Sequence, residues 1–160
     1  MPIVLTRIDD RLIHGQVILG WTRNVGGTYI VVADDAASKD VLQKSLMKAA
    51  TPVGVKSSVL SIQEAAEFLK GPKLEKEKTL IIVKDALAVL GLLDNGVAIE
   101  KINVGNIRFV DGRKKITNWM FVSDEEIVHF KELCARGVQV IAQWLPGDET
   151  ADLNKVFENY

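Results

Sequence analysis

Short apolar runs alternate along this chain with stretches in which apolar residues recur at helical spacing. Runs suited to buried strands cover residues 3–8, 29–33 and 80–83, with a more polar one at 54–60. A first helix continues from His14 through Val17 to Trp21. A second spans residues 38–50, where Val41, Leu42, Ser45, Leu46 and Ala49 recur at helical spacing. Ser61-Ile62-Gln63-Glu64 has the form of a capping box and opens a third helix reaching about Leu69. Asp85 caps a fourth, which Asn95-Gly96 ends.

Strands alternating with helices in this way predict an α/β fold: an open, mostly parallel β-sheet with helices on both faces. Beyond residue 100 the rhythm loosens. Residues 101–104 read as another strand, and Asp111-Gly112, between 107–110 and a mixed stretch ending at Val122, predicts a hairpin. Ser123 and Glu126 form a second capping box for a helix ending near Gly137. Residues 138–142 read as a late strand and 151–157 as a final helix. No repeat, low-complexity tract or long linker divides the chain, so residues 1–160 are expected to form a single domain.

Composition narrows the function classes. With 48% hydrophobic residues the chain can bury a substantial core, and 20 basic against 21 acidic side chains leave a formal charge of -1. That balance points away from nucleic acid and from electrostatic attachment to anionic lipid, so charge-based recognition must be local. One cysteine, Cys134, allows no internal disulfide, and no Cys/His spacing suggests a metal site. The apolar run before Arg7 is too short for a signal-peptide core, and no stretch approaches the roughly 20 apolar residues of a membrane span, so a cytoplasmic protein is expected.

In an open α/β sheet, ligands bind beyond the carboxyl ends of the strands, where connections diverge to opposite faces. On the assigned strands that edge carries residues 7–16, then Asp34 and Asp35, Lys84 and Asp85, and Asn103 to Asn106. The first of these groups is Arg7-Ile8-Asp9-Asp10-Arg11-Leu12-Ile13-His14-Gly15-Gln16. A free imidazole titrates near pH ~6.5, so His14 keeps a neutral fraction with a ring nitrogen available as base or nucleophile. Arg11 offers a planar fork of donors to phosphoryl oxygens, Gly15 permits close backbone approach, and the amides opening the next helix can receive an anion.

Each feature also has a plainer reading. A histidine beside acidic residues is more often structural than nucleophilic, and Arg7 and Arg11 could simply pair with Asp9 and Asp10. The two aspartates point to opposite sides of an extended segment and fit a scaffold better than acid/base catalysis. Asp10 is one choice to orient the imidazole, and spacing does not decide between it and Asp9. His129 fits the solvated face of a charged helix, and Cys134 a small buried hydrophobe. Asn103 to Asn106 reads as a turn, Asp85 as a cap, Lys84 as a ligand for phosphate or water, and Arg113-Lys114-Lys115 as a solvated turn or a docking patch.

The segment from Arg7 to Val17 closely resembles the active-site segment of the IIB components of the mannose/fructose/sorbose family of bacterial phosphotransferase systems. The resemblance continues through Val31-Val32-Ala33-Asp34-Asp35, Ile102-Asn103-Val104-Gly105-Asn106 and Val122-Ser123-Asp124-Glu125-Glu126. It implies a mostly parallel open sheet and a protein-phosphohistidine-sugar phosphotransferase. His14 would accept a phosphoryl group, on Nδ1, from a phosphorylated IIA protein. It would then pass that group to a sugar being taken up through the membrane components IIC and IID. Arg11 would be the principal phosphate-binding side chain, with Arg7, Gly15 and Gln16 also at the phosphate and Asp9 and Asp10 in support. No metal or other cofactor is called for, and the protein would be cytoplasmic and peripherally associated with its transporter. Two rival classes remain at this stage. One is a binding module holding a phosphate-bearing ligand without chemistry; the other is an interaction module working through residues 113–119.

Overall fold

The computed structural model describes residues 3–160. β1 (Ile3–Asp9), β2 (Tyr29–Ala33), β3 (Lys56–Leu60), β4 (Thr79–Val83), β5 (Lys101–Asn106), β8 (Gln139–Ala142) and β9 (Ala151–Asp152) form one seven-stranded sheet in the order β3-β2-β4-β1-β5-β8-β9. Every pairing in it is parallel except β8 with β9. β6 (Lys114–Thr117) and β7 (Met120–Val122) make a separate antiparallel pair. The helices are α1 (Gly15–Val25), α2 (Asp35–Ser38), α3 (Val41–Ala50), α4 (Ile62–Lys70), α5 (Ala86–Asp94), α6 (Asp124–Ala135) and α7 (Leu153–Glu158). The expected α/β architecture is present.

Alternation along the central strands divides the core between two faces, because successive strand residues point to opposite sides. On one face Val31, Ala33, Ile81 and Val83 pack with α4, α5, α6 and α7 through Ala65, Leu69, Val89, Phe130 and Phe157. On the other, Ile30, Val32, Leu80 and Ile82 pack with Ile18 of α1 and Met47 of α3. β4 is buried along its whole length, so its sequence reads as an unbroken apolar run. The chain leaves β1 toward the α1 face and leaves β5 toward the α6 face. The connections therefore diverge between the adjacent strands β1 and β5.

Four expectations need correction. The expected helix over 38–50 is two, because Asp40 stops the first and caps α3 by accepting from the Gln43 amide at 3.1 Å. Its apolar positions do not all face inward: Met47 is buried, whereas Val41, Leu42 and Leu46 are exposed. The hairpin turns at Asn118-Trp119 rather than Asp111-Gly112. Residues 107–110 lie outside it, since Ile107 bridges to Met120 in parallel and accepts from the Phe121 amide at 2.9 Å. Asn103 to Asn106 lies in strand β5, not in a turn, and the last helix begins only at Leu153, after Ala151–Asp152 has paired with β8.

No helix among the described residues is long and apolar enough to cross a membrane. None of their His, Cys, Asp and Glu side chains cluster in a group able to hold a metal ion.

Candidate functional site

β1 delivers Arg7 and Asp9 to the carboxyl edge of the sheet, and the chain then turns sharply into α1. In the turn the Leu12 amide donates to the Asp9 carbonyl at 3.0 Å, and Leu12 adopts a left-handed φ of 59°. A non-glycine residue held there stores strain of order ~1–3 kcal/mol, which is tolerated where the surroundings over-determine the conformation. Here the Leu12 side chain is buried in the α1-side core. Gly15 also has a positive φ, 32°, which a residue with a Cβ adopts only under strain.

His14 is the N-cap residue of α1, with extended backbone, and its side chain does not cap the helix. The other α-helices are each capped by a side-chain oxygen, from Asp34, Asp40, Ser61, Asp85, Ser123 and Asp152 in turn. α1 alone among the described α-helices has no side-chain cap, and its first turn holds no acidic residue. The amides of Gly15, Gln16 and Val17 therefore open a positive dipole end toward any anion beside His14.

Asp9 is the hub of the loop. Its carboxylate, 1% exposed as a residue, accepts from the Arg11 amide at 3.1 Å and from the Arg11 guanidinium through Nε at 3.3 Å and Nη2 at 3.4 Å. It also lies 3.5 Å from His14 Nε2 and 3.9 Å from Arg7 Nη2. His14 Nε2 is buried without an aligned hydrogen bond, and Nδ1 lies 3.2 Å from the Leu12 carbonyl. Asp10, the neighbour that spacing allowed as the imidazole's partner, points elsewhere. Its oxygens accept from Asn106 Nδ2 at 2.7 Å and the Arg108 amide at 2.9 Å, tying the loop to the end of β5.

The two arginines part company in the same way. Arg7 is 1% exposed and both terminal nitrogens of its fork are engaged, Nη1 donating to Asn103 Oδ1 and to the Gln143 carbonyl at 2.9 Å and Nη2 to the Trp144 carbonyl at 2.8 Å, while Nε is buried without a partner; the guanidinium lies over the Trp21 ring at 5.0 Å. Gly105 makes room for it, since a Cβ there would overlap the guanidinium. Arg7, expected at the phosphate, lies beneath the loop and is cut off from solvent. The Arg11 side chain is 37% exposed and rests on the Trp144 ring at 4.9 Å.

Electrostatics follow from this burial. Desolvation holds His14 below its ordinary 6.5; Asp9 opposes the shift, and Arg11 and Arg7 reinforce it. The imidazole is thus biased toward its neutral, nucleophilic form. Burial also pushes Arg7 down to about 10, which leaves it a cation at neutral pH.

Several of the remaining candidates have structural partners. Asp34 and Asp85 cap α2 and α5, and Asp35 accepts from the Ile62 amide at 2.9 Å. Arg113 pairs with Glu126 at 3.0 Å and Lys114 with Asp124 at 2.8 Å. Cys134 packs against the α4–α7 core, and its thiol is raised by burial. His129 is half-buried on α6. Gln143, Trp144 and Trp21, which support the site from far along the chain, were not anticipated; Asn103 gave a signal, as a polar residue inside an apolar strand run.

Residues 3–160 match the family described as the IIB component of the sorbose subfamily of phosphotransferase (PTS) systems. The chain is 32% identical to the fructose-specific EIIB component of Bacillus subtilis, over 99% of this chain and 98% of that one. It is 34% identical to the mannose-specific EIIAB component of Escherichia coli K12, where 88% of this chain corresponds to 43% of a longer protein. Its fold superposes on the IIBSor domain of the Klebsiella pneumoniae sorbose permease with a TM-score of 0.94 at 28% identity, covering 99% and 98% of the two chains.

Proposed function

The chain belongs to the IIB components of the sorbose subfamily of phosphotransferase systems, which are sugar phosphotransferases, and on that premise we propose that His14 is its phosphoryl carrier. One observation carries the reading: a histidine biased toward neutrality stands at the mouth of the one α-helix among the described residues left without a side-chain cap, backed by the buried carboxylate of Asp9.

The donor is a phosphohistidine on a IIA protein, and the acceptor is a sugar hydroxyl presented by the membrane components IIC and IID. Nδ1 is the nucleophile. Nε2 is buried, so no protein-borne phosphoryl group reaches it, and a phosphoryl group there would face the Asp9 carboxylate. With its proton on Nε2, which lies 3.5 Å from the Asp9 carboxylate, the ring presents the Nδ1 lone pair once it turns from the Leu12 carbonyl. In the first step that lone pair forms the new N–P bond as the donor's N–P bond breaks, and the released electron pair stays on the donor imidazole. In the second step the sugar oxygen forms an O–P bond and releases its proton to water, while the His14 N–P bond breaks and returns its electrons to Nδ1, leaving a neutral imidazole that still carries its Nε2 proton.

Catalysis here is mostly positioning and charge stabilisation. The amides of Gly15, Gln16 and Val17 receive the phosphoryl oxygens, and Arg11 moves its fork from Asp9 to the moving charge. Arg7 acts as a fixed cation beneath Asp9, and Asp10 as a tie to β5. The mannose-specific relative named EIIAB supports a IIA donor, since in that protein the corresponding segment is part of a longer chain. The test mixes the protein with phosphorylated IIA and follows phosphate that is acid-labile and alkali-stable. Labelling is expected on the wild type and absent from His14→Ala; a labelled His14→Ala protein sinks the proposal.

A further inference from the structure

Arg11 makes two contacts, and they differ in kind. Its donors lie on Asp9, at 3.3 and 3.4 Å, while its flat face lies on the Trp144 ring with the guanidinium carbon 4.9 Å from the centroid. The Asp9 contact has to be given up if the fork is to reach a phosphoryl group. The stacking contact does not. A planar cation over an indole can rotate in its own plane and keep the attraction of the ring face.

Trp144 is built to be a fixed platform. Its carbonyl accepts from Arg7 Nη2 at 2.8 Å and from Trp21 Nε1 at 3.0 Å, so the backbone is anchored to the buried arginine and to α1. The turn that follows is closed by Asp148: its carboxylate accepts from the Leu145 amide at 3.0 Å, and its amide donates to the Leu145 carbonyl at 3.1 Å. A second indole, Trp119 at the tip of the β6–β7 hairpin, packs against Trp144 with centroids 5.7 Å apart and planes tilted by 30°. The order is hairpin, Trp119, Trp144, Arg11.

From this stack we infer that Trp144 is a positioning residue for Arg11, holding the guanidinium beside His14 while its donors exchange the Asp9 carboxylate for the incoming phosphoryl group. Leu or Ala at 144 would leave Arg11 a flexible stem tethered only by the ion pair it must break. Phe would keep a ring face, although a smaller one. The inference rests on His14 as the phosphoryl acceptor, and the experiment separates the two.

Single-turnover phosphorylation from phosphorylated IIA is followed in wild type, Trp144→Phe and Trp144→Leu over a range of donor concentrations. The Leu variant is expected to react about tenfold more slowly at saturating donor, with half-saturation little changed, as loss of a partly desolvated cation–π contact predicts. The Phe variant should recover most of the rate. Combining Trp144→Leu with Arg11→Lys should slow transfer no further than Arg11→Lys alone, because both remove the same arrangement. No phosphate on the wild-type protein overturns the His14 reading. A Leu variant at the wild-type rate, a defect only in half-saturation, or additive losses in the double variant overturn the role of Trp144.

Arg7 and Trp21 are held by the main-chain carbonyl of residue 144, so substitution of its side chain keeps those bonds. Should Trp144→Leu nevertheless fail to fold, a second measurement decides. In a Trp119→Phe background Trp21 and Trp144 are the two remaining indoles; an emission change on phosphorylation should survive Trp21→Phe and be abolished by Arg11→Lys, and emission indifferent to Arg11 counts against the inference.

Discussion

Asp9→Asn removes one charge and almost no volume, and so tests whether a single carboxylate organises the loop. In the native protein this carboxylate is buried, takes three donors from Arg11 and is the counter-ion nearest to the buried Arg7, at 3.9 Å. Removing one partner of a buried ion pair costs about 3–5 kcal/mol when the other charge is stranded. Arg7 is not wholly stranded, because Asn103 and the carbonyls of Gln143 and Trp144 still accept from it, and 3.9 Å is long for an ion pair. Arg11 is partly exposed and can turn to water. The expected loss therefore sits near the low end, about 3 kcal/mol, which for a domain of this size lowers Tm by roughly 6–12 °C. Urea unfolding and thermal melting measure it. The same change removes the chief group holding the His14 pKa up, so the imidazole should titrate lower still when followed by NMR. A loss below about 1 kcal/mol, or a His14 pKa that rises, would refute the idea that Asp9 is a counter-ion shared by all three side chains.

Other substitutions probe the supports separately. Gly105→Ala drives a methyl into the Arg7 guanidinium and should destabilise by about 1–3 kcal/mol or more, read as a lowered urea midpoint at unchanged slope; a melting curve like the wild type would mean Arg7 can sit elsewhere. The folded His14 pKa lies below 6.5, so the unfolded chain binds the extra proton first as pH falls. This residue's contribution to stability therefore declines below 6.5 toward the folded pKa, while the neutral acceptor persists there. Phosphoryl acceptance should hold as pH drops through 6.5 and fail only further down, and a rate halved at 6.5 itself would contradict that. Asp40→Ala should cost about 1 kcal/mol through loss of the α3 cap, with phosphoryl transfer unaffected.

Much of the fold was legible because its signals are local. The capping box at Ser61 and the Ser123 cap satisfy amides three residues away, although Glu126 takes the Ser123 hydroxyl and Arg113 rather than the Ser123 amide and so closes no second box, and the apolar run of β4 needs no partner to be read as a buried strand. The errors fall where tertiary contacts overrode a local pattern. The apolar positions of α3 gave a helix but not its orientation: Met47 fills the core while Val41, Leu42 and Leu46 stay outside. Asp111-Gly112 does form a turn, with Gly112 at a positive φ of 92° and the Arg113 amide donating to Val110. It does not join paired strands, because Ile107 is already bonded to Trp119 and Phe121 through backbone groups far along the chain.

The site divides along the same line. Part of what the segment from Arg7 to Gln16 does within itself could be read from it, a histidine opening a helix and an arginine beside a carboxylate, but not the left-handed Leu12 or the choice of Asp9 over Asp10 beside the imidazole. What the segment could not disclose is which side chain goes under the loop and which stays on top, because that is decided by partners 96 to 137 residues away. Arg7 and Arg11 look alike in sequence. One lies in a parallel strand whose neighbour places Gly105 and Asn103 within its reach, and its charge is taken out of water. The other sits past the strand end, where it rests on an indole from the loop after β8. The asymmetry of the aspartates has the same origin: alternate residues leaving a strand point apart, and the end of β5 occupies one of the two sides. Division of labour among four like-looking charged residues is thus a consequence of where β1 ends between β4 and β5, rather than of the residues themselves.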